Sequence, residues 1–283
     1  MIDLDAYCRR IGYNGARDPT LAVLDAVCAA HPAALAFENI DPLLGAAPSL
    51  ALDDIQAKLV ARRRGGYCYE QNALLREALR GLGMHVTALA ARVVWMQSAG
   101  APLRPRSHMM LRVELPDTPN VSYIADAGFG GHLLAAPLRF EPGIAQRTPG
   151  GVERIVQDGD AYTVEAELLE GWSPLYRYTL EPHLPADYEP LNWYTATHPA
   201  SVFRHNLIIE RLTPRYRAGL RNDRYTLRVR DAAPQHRRIE TAAEFAQLLD
   251  EVFDLEPPIP AAELFERVPK GLDGAFIAPS ASP

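Results

Sequence analysis

The sequence predicts an α+β protein in three parts: a helical bundle over residues 1–84, an antiparallel β barrel over 85–184, and a crossover segment with a smaller α/β piece over 185–283. Three observations carry this. Apolar residues recur at helical spacing through the first part of the chain. From Val86 the period falls to two, in short runs separated by turn residues such as Asp158-Gly159, the pattern of an antiparallel barrel or meander. Prolines at 182, 185, 190 and 199 then mark a crossover before strand-like and helix-like stretches resume.

The elements follow in order. Leu4, Cys8 and Ile11 share one helical face; Leu21, Leu24, Val27 and Cys28 form a second stripe, which His31-Pro32 is expected to end because proline disfavours helix in the residue before it. Asp53, with Gln56 three residues on, resembles a capping box opening a helix that runs through Arg63 to the break at Gly65-Gly66. A new helix starts near Tyr67 and Cys68, buries Leu74, Leu75, Ala78, Leu79 and Leu82, and stops at Gly81 and Gly83. Strands are predicted over 85–95, 108–115, 121–126, 154–157, 162–168, 175–180, 203–212 and 225–229, with helices over 242–253 and 261–268 and frayed residues over 278–283.

With 283 residues, 48% of them hydrophobic, the chain can bury a sizeable core, and its length suits two or three domains or subdomains. The formal net charge of -6 carries no basic excess of the kind nucleic-acid binders show. The short cluster Arg62-Arg63-Arg64 reads as a solvated helix end. Three cysteines give no disulfide framework and fit a reducing cytoplasm. The N-terminus lacks the basic region and apolar run of a signal peptide, and no apolar run is long enough to span a membrane.

Cys68 is the candidate nucleophile. It follows two glycines, which let the backbone turn sharply, and it opens a helix, where free N–H groups favour a thiolate. Cys8 and Cys28 lie in apolar stripes and read as small core hydrophobes. Taken alone, Cys68 suits a packing role as well as a catalytic one. The following hairpin tips the balance. Met109, Leu111, Val113 and Leu115 alternate with His108, Met110, Arg112 and Glu114. If Leu115 pairs with Val121 across the turn at 116–120, Met110 lies opposite Asp126, and His108 becomes the diagonal neighbour of Asp126 on the same face. Singly, His108 reads as a satisfied histidine and Asp126 as a turn residue; falling together by register, they read as an imidazole held by a carboxylate. A thiolate, a base and an orienting acid suit attack on an acyl carbonyl and transfer to an acceptor. The same trio has zinc-ligand chemistry, but no Cys-x-x-Cys or His-x-x-x-His pairing supplies a fourth ligand, so no metal is expected.

Five blocks then carry a resemblance. Phe37-Glu38-Asn39-Ile40-Asp41, Arg64-Gly65-Gly66-Tyr67-Cys68-Tyr69-Glu70-Gln71-Asn72, Ser107-His108-Met109-Met110-Leu111, Asp126-Ala127-Gly128-Phe129-Gly130-Gly131 and Thr197-His198-Pro199-Ala200-Ser201-Val202-Phe203 resemble, in order, the signatures of arylamine N-acetyltransferases. Ser107 stands where that family often has threonine, and Ala127 where it often has valine. The resemblance implies a helical bundle, a β barrel and an α/β lid around a cysteine-protease-like Cys–His–Asp core. It implies ping-pong acetyl transfer from acetyl-CoA, a substrate and not a resident cofactor, to an arylamine or arylhydrazine, by a cytoplasmic monomer or homodimer without nucleic-acid or membrane partners. Cys68, His108 and Asp126 carry over as nucleophile, base and orienting acid. Phe37, Tyr69, Val93, Phe129 and Phe203 match acceptor-lining positions, and Asn72, Trp95, Gly130 and Gly131 match the approach of coenzyme A, the glycines giving room for its pantetheine arm. Glu38 and Arg64 match an ion pair. Amide synthases that close macrolactams from polyketide acyl chains share the trio and remain the alternative. Transglutaminase-like or papain-like proteases share its order but lack the Phe-Glu-Asn-Ile-Asp and Gly-Phe-Gly-Gly blocks. A non-enzymatic binding module would need none of the three catalytic residues.

Overall fold

The computed structural model describes residues 1–98, 100–230 and 232–271; the tail expected to fray lies outside them. Helix α1 (Leu4–Arg10) is capped by Asp3, whose carboxylate accepts from the Ala6 N–H, and buries Tyr7 and Cys8. Thr20 caps α2 (Leu21–Ala34), which buries Leu24, Val27 and Cys28 and leaves Leu21 exposed. This helix does not stop at His31-Pro32. Pro32 removes one backbone hydrogen bond close to the helix end, where the loss is small, and the His31 ring is pinned on both sides. Its Nδ1 meets the Tyr7 hydroxyl and its Nε2 the Gln71 side-chain oxygen, each at 2.8 Å.

Burial pushes the His31 imidazole down to about 4, against the weaker pull of its bond to Gln71. A histidine kept neutral in the fold protonates first in the unfolded chain. Its contribution is therefore whole above the ordinary histidine value of 6.5 and is lost as pH falls towards 4. Unfolding measured from about pH 7 down to 4 is expected to lose about 3 kcal/mol from this group, and the slope should flatten in a His31→Gln variant. An unchanged slope would mean that other groups govern the acid limb.

The chain then forms a two-residue strand, β1 (Phe37–Glu38), and the short helices α3 (Ile40–Leu43) and α4 (Leu52–Ile55), the latter continuing as a π-helical turn over Gln56–Val60. The expected capping box at Asp53 is not formed. The helix starts two residues earlier, after Ala51, with no side-chain cap, and the Gln56 side chain accepts instead from the Asp3 N–H at 2.6 Å. It also ends before the arginine run, which is not a solvated helix end. Arg63 pairs with Asp250 and Asp254 of the C-terminal region, and Arg64 is buried.

Arg64 donates to Glu38 Oε1 at 2.8 Å and to Asp41 Oδ1 at 2.8 Å, while Lys58 Nζ reaches Asp41 at 2.6 Å and Glu70 at 2.7 Å. Three carboxylates thus face two cations in the interior. Burial, with Glu38 and Asp41 adding to it against Lys58, pushes the Glu70 carboxyl up to about 7. Removing one partner leaves the others charged and dry. Arg64→Ala is expected to cost about 3–5 kcal/mol, read as a lowered denaturant midpoint; a loss under about 1 kcal/mol, the range of a surface pair, would contradict the buried geometry.

Helix α5 (Cys68–Gly81) leads into an eight-stranded antiparallel sheet: β2 (His85–Val93), β3 (His108–Glu114), β4 (Ser122–Ala125), β5 (Leu138–Arg139), β6 (Ala145–Thr148), β7 (Gly151–Asp158), β8 (Ala161–Leu168) and β9 (Gly171–Tyr178). In space the order is β5-β4-β3-β2-β9-β8-β7-β6. The sheet curls into a nearly closed barrel. Across its seam the Gln146 amide bonds both backbone groups of Arg139 at 2.8 Å. The alternation in β3 places Met109, Leu111, Val113 and Leu115 against the helices and Met110 inside the barrel. Leu111 pairs with Ala125 and Glu114 with Ser122, the register read from the hairpin.

The proline-rich stretch expected as an irregular crossover is largely a helix, α6 (Pro185–Thr197). Pro185 sits at its first turn, where the missing N–H is no loss, and Pro190 removes only one bond. The run at 203–212 divides into a 3-10 turn (Val202–Arg204) and strand β10 (Ile208–Leu212). β11 (Tyr216–Arg221), β12 (Arg224–Val229) and β13 (Gln235–Arg238) extend a second antiparallel sheet of order β1-β10-β11-β12-β13, so Phe37 and Glu38 from the N-terminal region form its edge. Helices α7 (Ala242–Gln247), continued by a π-helical turn, and α8 (Ala261–Arg267) cover it. Strand β5 is only two residues long and the polar strands β6 and β13 have no apolar alternation, which is why the sequence did not show them; β11 does alternate Tyr216, Ala218 and Leu220 with Arg217, Gly219 and Arg221 and was passed over. No helix among the described residues is long and apolar enough to cross a membrane.

Candidate active site

Cys68 opens α5, so its N–H has no intrahelical acceptor. The turn before it is held from two sides. The Glu70 carboxylate accepts from the Tyr67 N–H at 3.2 Å, and the Gln71 amide donates to the carbonyls of Ala36 at 2.8 Å and Gly66 at 3.2 Å. A parallel bridge joins Phe37 to Gly66. The buried charge cluster and β1 therefore set where the sulfur emerges.

On the facing barrel wall, His108 opens β3 and Asp126 follows β4. His108 Nε2 and Asp126 Oδ2 are 2.6 Å apart, and both residues are buried. The Cys68 thiol hydrogen-bonds the Ser107 carbonyl at 3.7 Å and lies near enough to the imidazole to favour its charge. Asp126 Oδ1 accepts from the Asn72 side chain at 2.9 Å and from the Gly128 N–H at 2.8 Å, and the Asn72 amide also bonds Met109 O and Ala127 N–H. Gly128 is needed for closeness: a Cβ there would fall 2.5 Å from Cys68 Cα.

Burial alone would push the His108 imidazole down. The Asp126 carboxylate more than offsets this, and the thiol contact adds to it, so the imidazole is pushed up to about 10. Burial likewise opposes the charge on Asp126, but His108, Asn72 and the Gly128 N–H hold its carboxyl below the usual aspartate range. Burial pushes the Cys8 and Cys28 thiols up, which keeps them protonated and unreactive. Asp126 thus favours the charged form of the imidazole beside the sulfur and fixes the orientation of the ring from behind.

A cavity of about 370 Å³ opens above the sulfur. Of the aromatic and apolar residues singled out from the sequence, Phe37, Val93, Trp95, Phe129 and Phe203 line it, as do Gly130 and Gly131. Trp95 stacks on Phe129 at 5.3 Å, and Phe129 lies edge-on to His108 at 5.2 Å. Tyr69 and Asn72 lie elsewhere. Tyr69 is fully buried among Tyr67 and Tyr188, and Asn72 is fully buried under Asp126. The room at Gly130 and Gly131 is already taken by the chain itself: a Cβ would fall 2.2 Å from the Phe37 ring at one and 2.2 Å from the Trp95 ring at the other. Sequence reasoning missed Ser107, Arg104, Ile208 and Arg221 in the cavity wall. It also missed the partner of Asn72, although a position one turn beyond Cys68 on the same helix face was a usable signal. No group of three or more potential metal ligands occurs among the described residues.

Residues 20–260 match the family model described as N-acetyltransferase, which sets the class. The arylamine N-acetyltransferase of Mycolicibacterium smegmatis is 41% identical over 252 residues, 89% of this chain and 90% of that protein. The solved structure of the M. smegmatis arylamine N-acetyltransferase superposes with a TM-score of 0.90 at 37% identity, covering 95% of this chain and 99% of that one. That of Mycobacterium marinum arylamine N-acetyltransferase in complex with CoA gives 0.88 at 35% identity, covering 94% and 99%. The chain belongs to the arylamine N-acetyltransferase family and is an acyltransferase.

Proposed function

We propose that the protein moves an acetyl group from acetyl-CoA to the nitrogen of an arylamine or arylhydrazine in two half-reactions at one site. The Cys68 sulfur attacks the thioester carbonyl while His108 holds the thiol proton. The oxyanion is met by the Cys68 N–H at the mouth of α5. The carbonyl–sulfur bond of the donor then breaks, His108 returns the proton to the departing coenzyme A thiolate, and acetyl-Cys68 remains. In the second half the amine attacks this new thioester and gives its proton to His108. The bond to Cys68 breaks, and the thiolate is restored beside an imidazolium that Asp126 stabilises.

The observation that carries this reading is the buried 2.6 Å bond between His108 and Asp126, behind a thiol at the floor of an apolar cavity. The family's names supply the acetyl group and the arylamine, and the CoA complex of the M. marinum enzyme supports acetyl-CoA as the donor. In this reading Phe37, Val93, Phe129 and Phe203 hold the flat acceptor, Trp95 with Gly130 and Gly131 flanks the donor, and Tyr69 and Asn72 act from behind. Three free thiols suit a reducing cytoplasm.

Mixing enzyme with acetyl-CoA and no acceptor should release one equivalent of coenzyme A and leave an acetyl mass on the Cys68 peptide. Adding an arylamine should then discharge it. Coenzyme A release only when the amine is present would sink the two-step scheme.

A further inference from the structure

The buried pair His132 and Glu153 takes no part in the acetyl-transfer scheme. His132 follows the Gly130-Gly131 turn, Glu153 lies on β7, and both fall outside the five signature blocks. Along β7, Glu153 and Ile155 are the two residues turned inwards, so a carboxylate stands in the barrel beside an apolar core position. Glu153 is fully buried opposite the small Ala166, and its Oε1 lies 3.0 Å from His132 Nε2. Its Oε2 has no hydrogen-bond partner among the described residues. Burying a half-satisfied carboxylate is costly, and the imidazole is the group that it fixes.

That imidazole backs the wall assigned to the donor. Its ring meets Trp95 edge-on at 6.4 Å, and Trp95 in turn stacks on Phe129 at 5.3 Å. The neighbouring Gly131 has no room for a Cβ, which would fall 2.2 Å from the Trp95 ring. The backbone here is tied as well. The N–H groups of Gly131 and His132 both donate to the Phe129 carbonyl, at 2.7 and 3.0 Å. The lid holds the next residue: Glu210 accepts from the Leu133 N–H at 3.3 Å, and Arg217 donates to the Leu133 carbonyl at 3.0 Å and to Glu210 at 2.9 Å. Burial lowers the His132 imidazole below the ordinary histidine range against the bond to Glu153; Arg217 adds to the lowering and Glu210 opposes it. A neutral ring facing a carboxylate carries its proton on Nε2, which fixes its tautomer and its plane.

We propose that His132 and Glu153 are positioning residues for the donor. The pair fixes the Trp95 ring against Phe129, and with it the wall along which the pantetheine arm of acetyl-CoA reaches Cys68. Its effect runs through Trp95 and not through the trio. This rests on the acetyl-CoA reading above, in which Trp95 flanks the donor.

The test compares two acetyl donors at one sulfur. Acetyl-CoA needs the wall, whereas para-nitrophenyl acetate has no pantetheine arm. The measured quantity is the ratio of their second-order rates of loading Cys68, acetyl-CoA over nitrophenyl ester; this cancels a change in the sulfur itself or in the amount of folded enzyme. Glu153→Leu removes the acceptor and should lower the ratio about tenfold, the worth of one charge-assisted hydrogen bond. Glu153→Gln keeps an acceptor for the Nε2 proton and should retain most of the ratio. The double variant His132→Phe with Glu153→Leu leaves neither polar group buried without the other, so it should fold even where the single one does not, and it should show the same drop. A ratio unchanged in the double variant overturns the proposal. So does an equal fall in both loading rates, which would assign the pair to the fold or to the sulfur, and so does a drop in Glu153→Gln as large as in Glu153→Leu. A wild type that loads from both donors keeps the thioester reading whatever the variants do; one that forms no acetyl-Cys68 from acetyl-CoA would sink that reading, and the proposal with it.

Discussion

Cys68→Ala and Cys68→Ser are each expected to lower acetyl transfer by about 10⁴-fold or more while the fold survives. The alanine variant removes only the sulfur from a side chain whose one hydrogen bond is a long one to the Ser107 carbonyl. Serine keeps a hydroxyl, but its proton is far less acidic than a thiol's, so an imidazole tuned to face sulfur gains little by facing it. Circular dichroism and the unfolding midpoint should stay close to wild type in both. The same site explains an expected labelling order: iodoacetamide should modify Cys68 well before Cys8 or Cys28, whose thiols burial keeps protonated. Retained turnover in either variant would end the covalent mechanism.

Asp126→Asn should lower the rate about 10⁴-fold for a different reason. The Oδ1 position at residue 126 accepts from Asn72 and from the Gly128 N–H, so an amide there must turn its oxygen towards them. Its NH₂ then faces His108 Nε2, which can no longer carry a proton. The proton moves to Nδ1, the other ring nitrogen, and the base is filled before it can act. The carboxylate that favours the imidazolium is also gone, so burial should bring the His108 titration well below its present value of about 10. Following the His108 ring by NMR across pH tests both points; a ring that still titrates near wild type would show that Asp126 does not set its charge.

The sequence made the site more legible than the fold around it. The β3–β4 register followed from a hairpin turn of fixed length and strict alternation, and with it came the meeting of His108 and Asp126. Cys68 was marked by Gly65-Gly66 and a helix start. The helix over Pro185–Thr197 was hidden because proline at a first turn looks the same as proline in a loop. Strand β13 was hidden because a polar edge carries no period, whereas β11, in the middle of its sheet, was passed over although Tyr216, Ala218 and Leu220 alternate with Arg217, Gly219 and Arg221. From its neighbours alone Arg64 looked like surface charge; the resemblance paired it with Glu38, as the structure does, but the burial and the second partner, Asp41, depend on contacts distant in sequence. The placement of Asn72 failed on the same ground: its position on the helix was visible, but the group it would meet was not.

The edge strand β1 has a consequence for how the molecule matures. Two residues near the start of the chain close the margin of a sheet whose other strands come from its last third. Phe37, which also braces the turn before the sulfur, therefore reaches its place only after most of the polypeptide has been made and has doubled back on itself. Thiol reactivity should thus emerge late in renaturation, as a reporter of completed assembly, and a fragment ending before the second sheet should be chemically silent however helical it is.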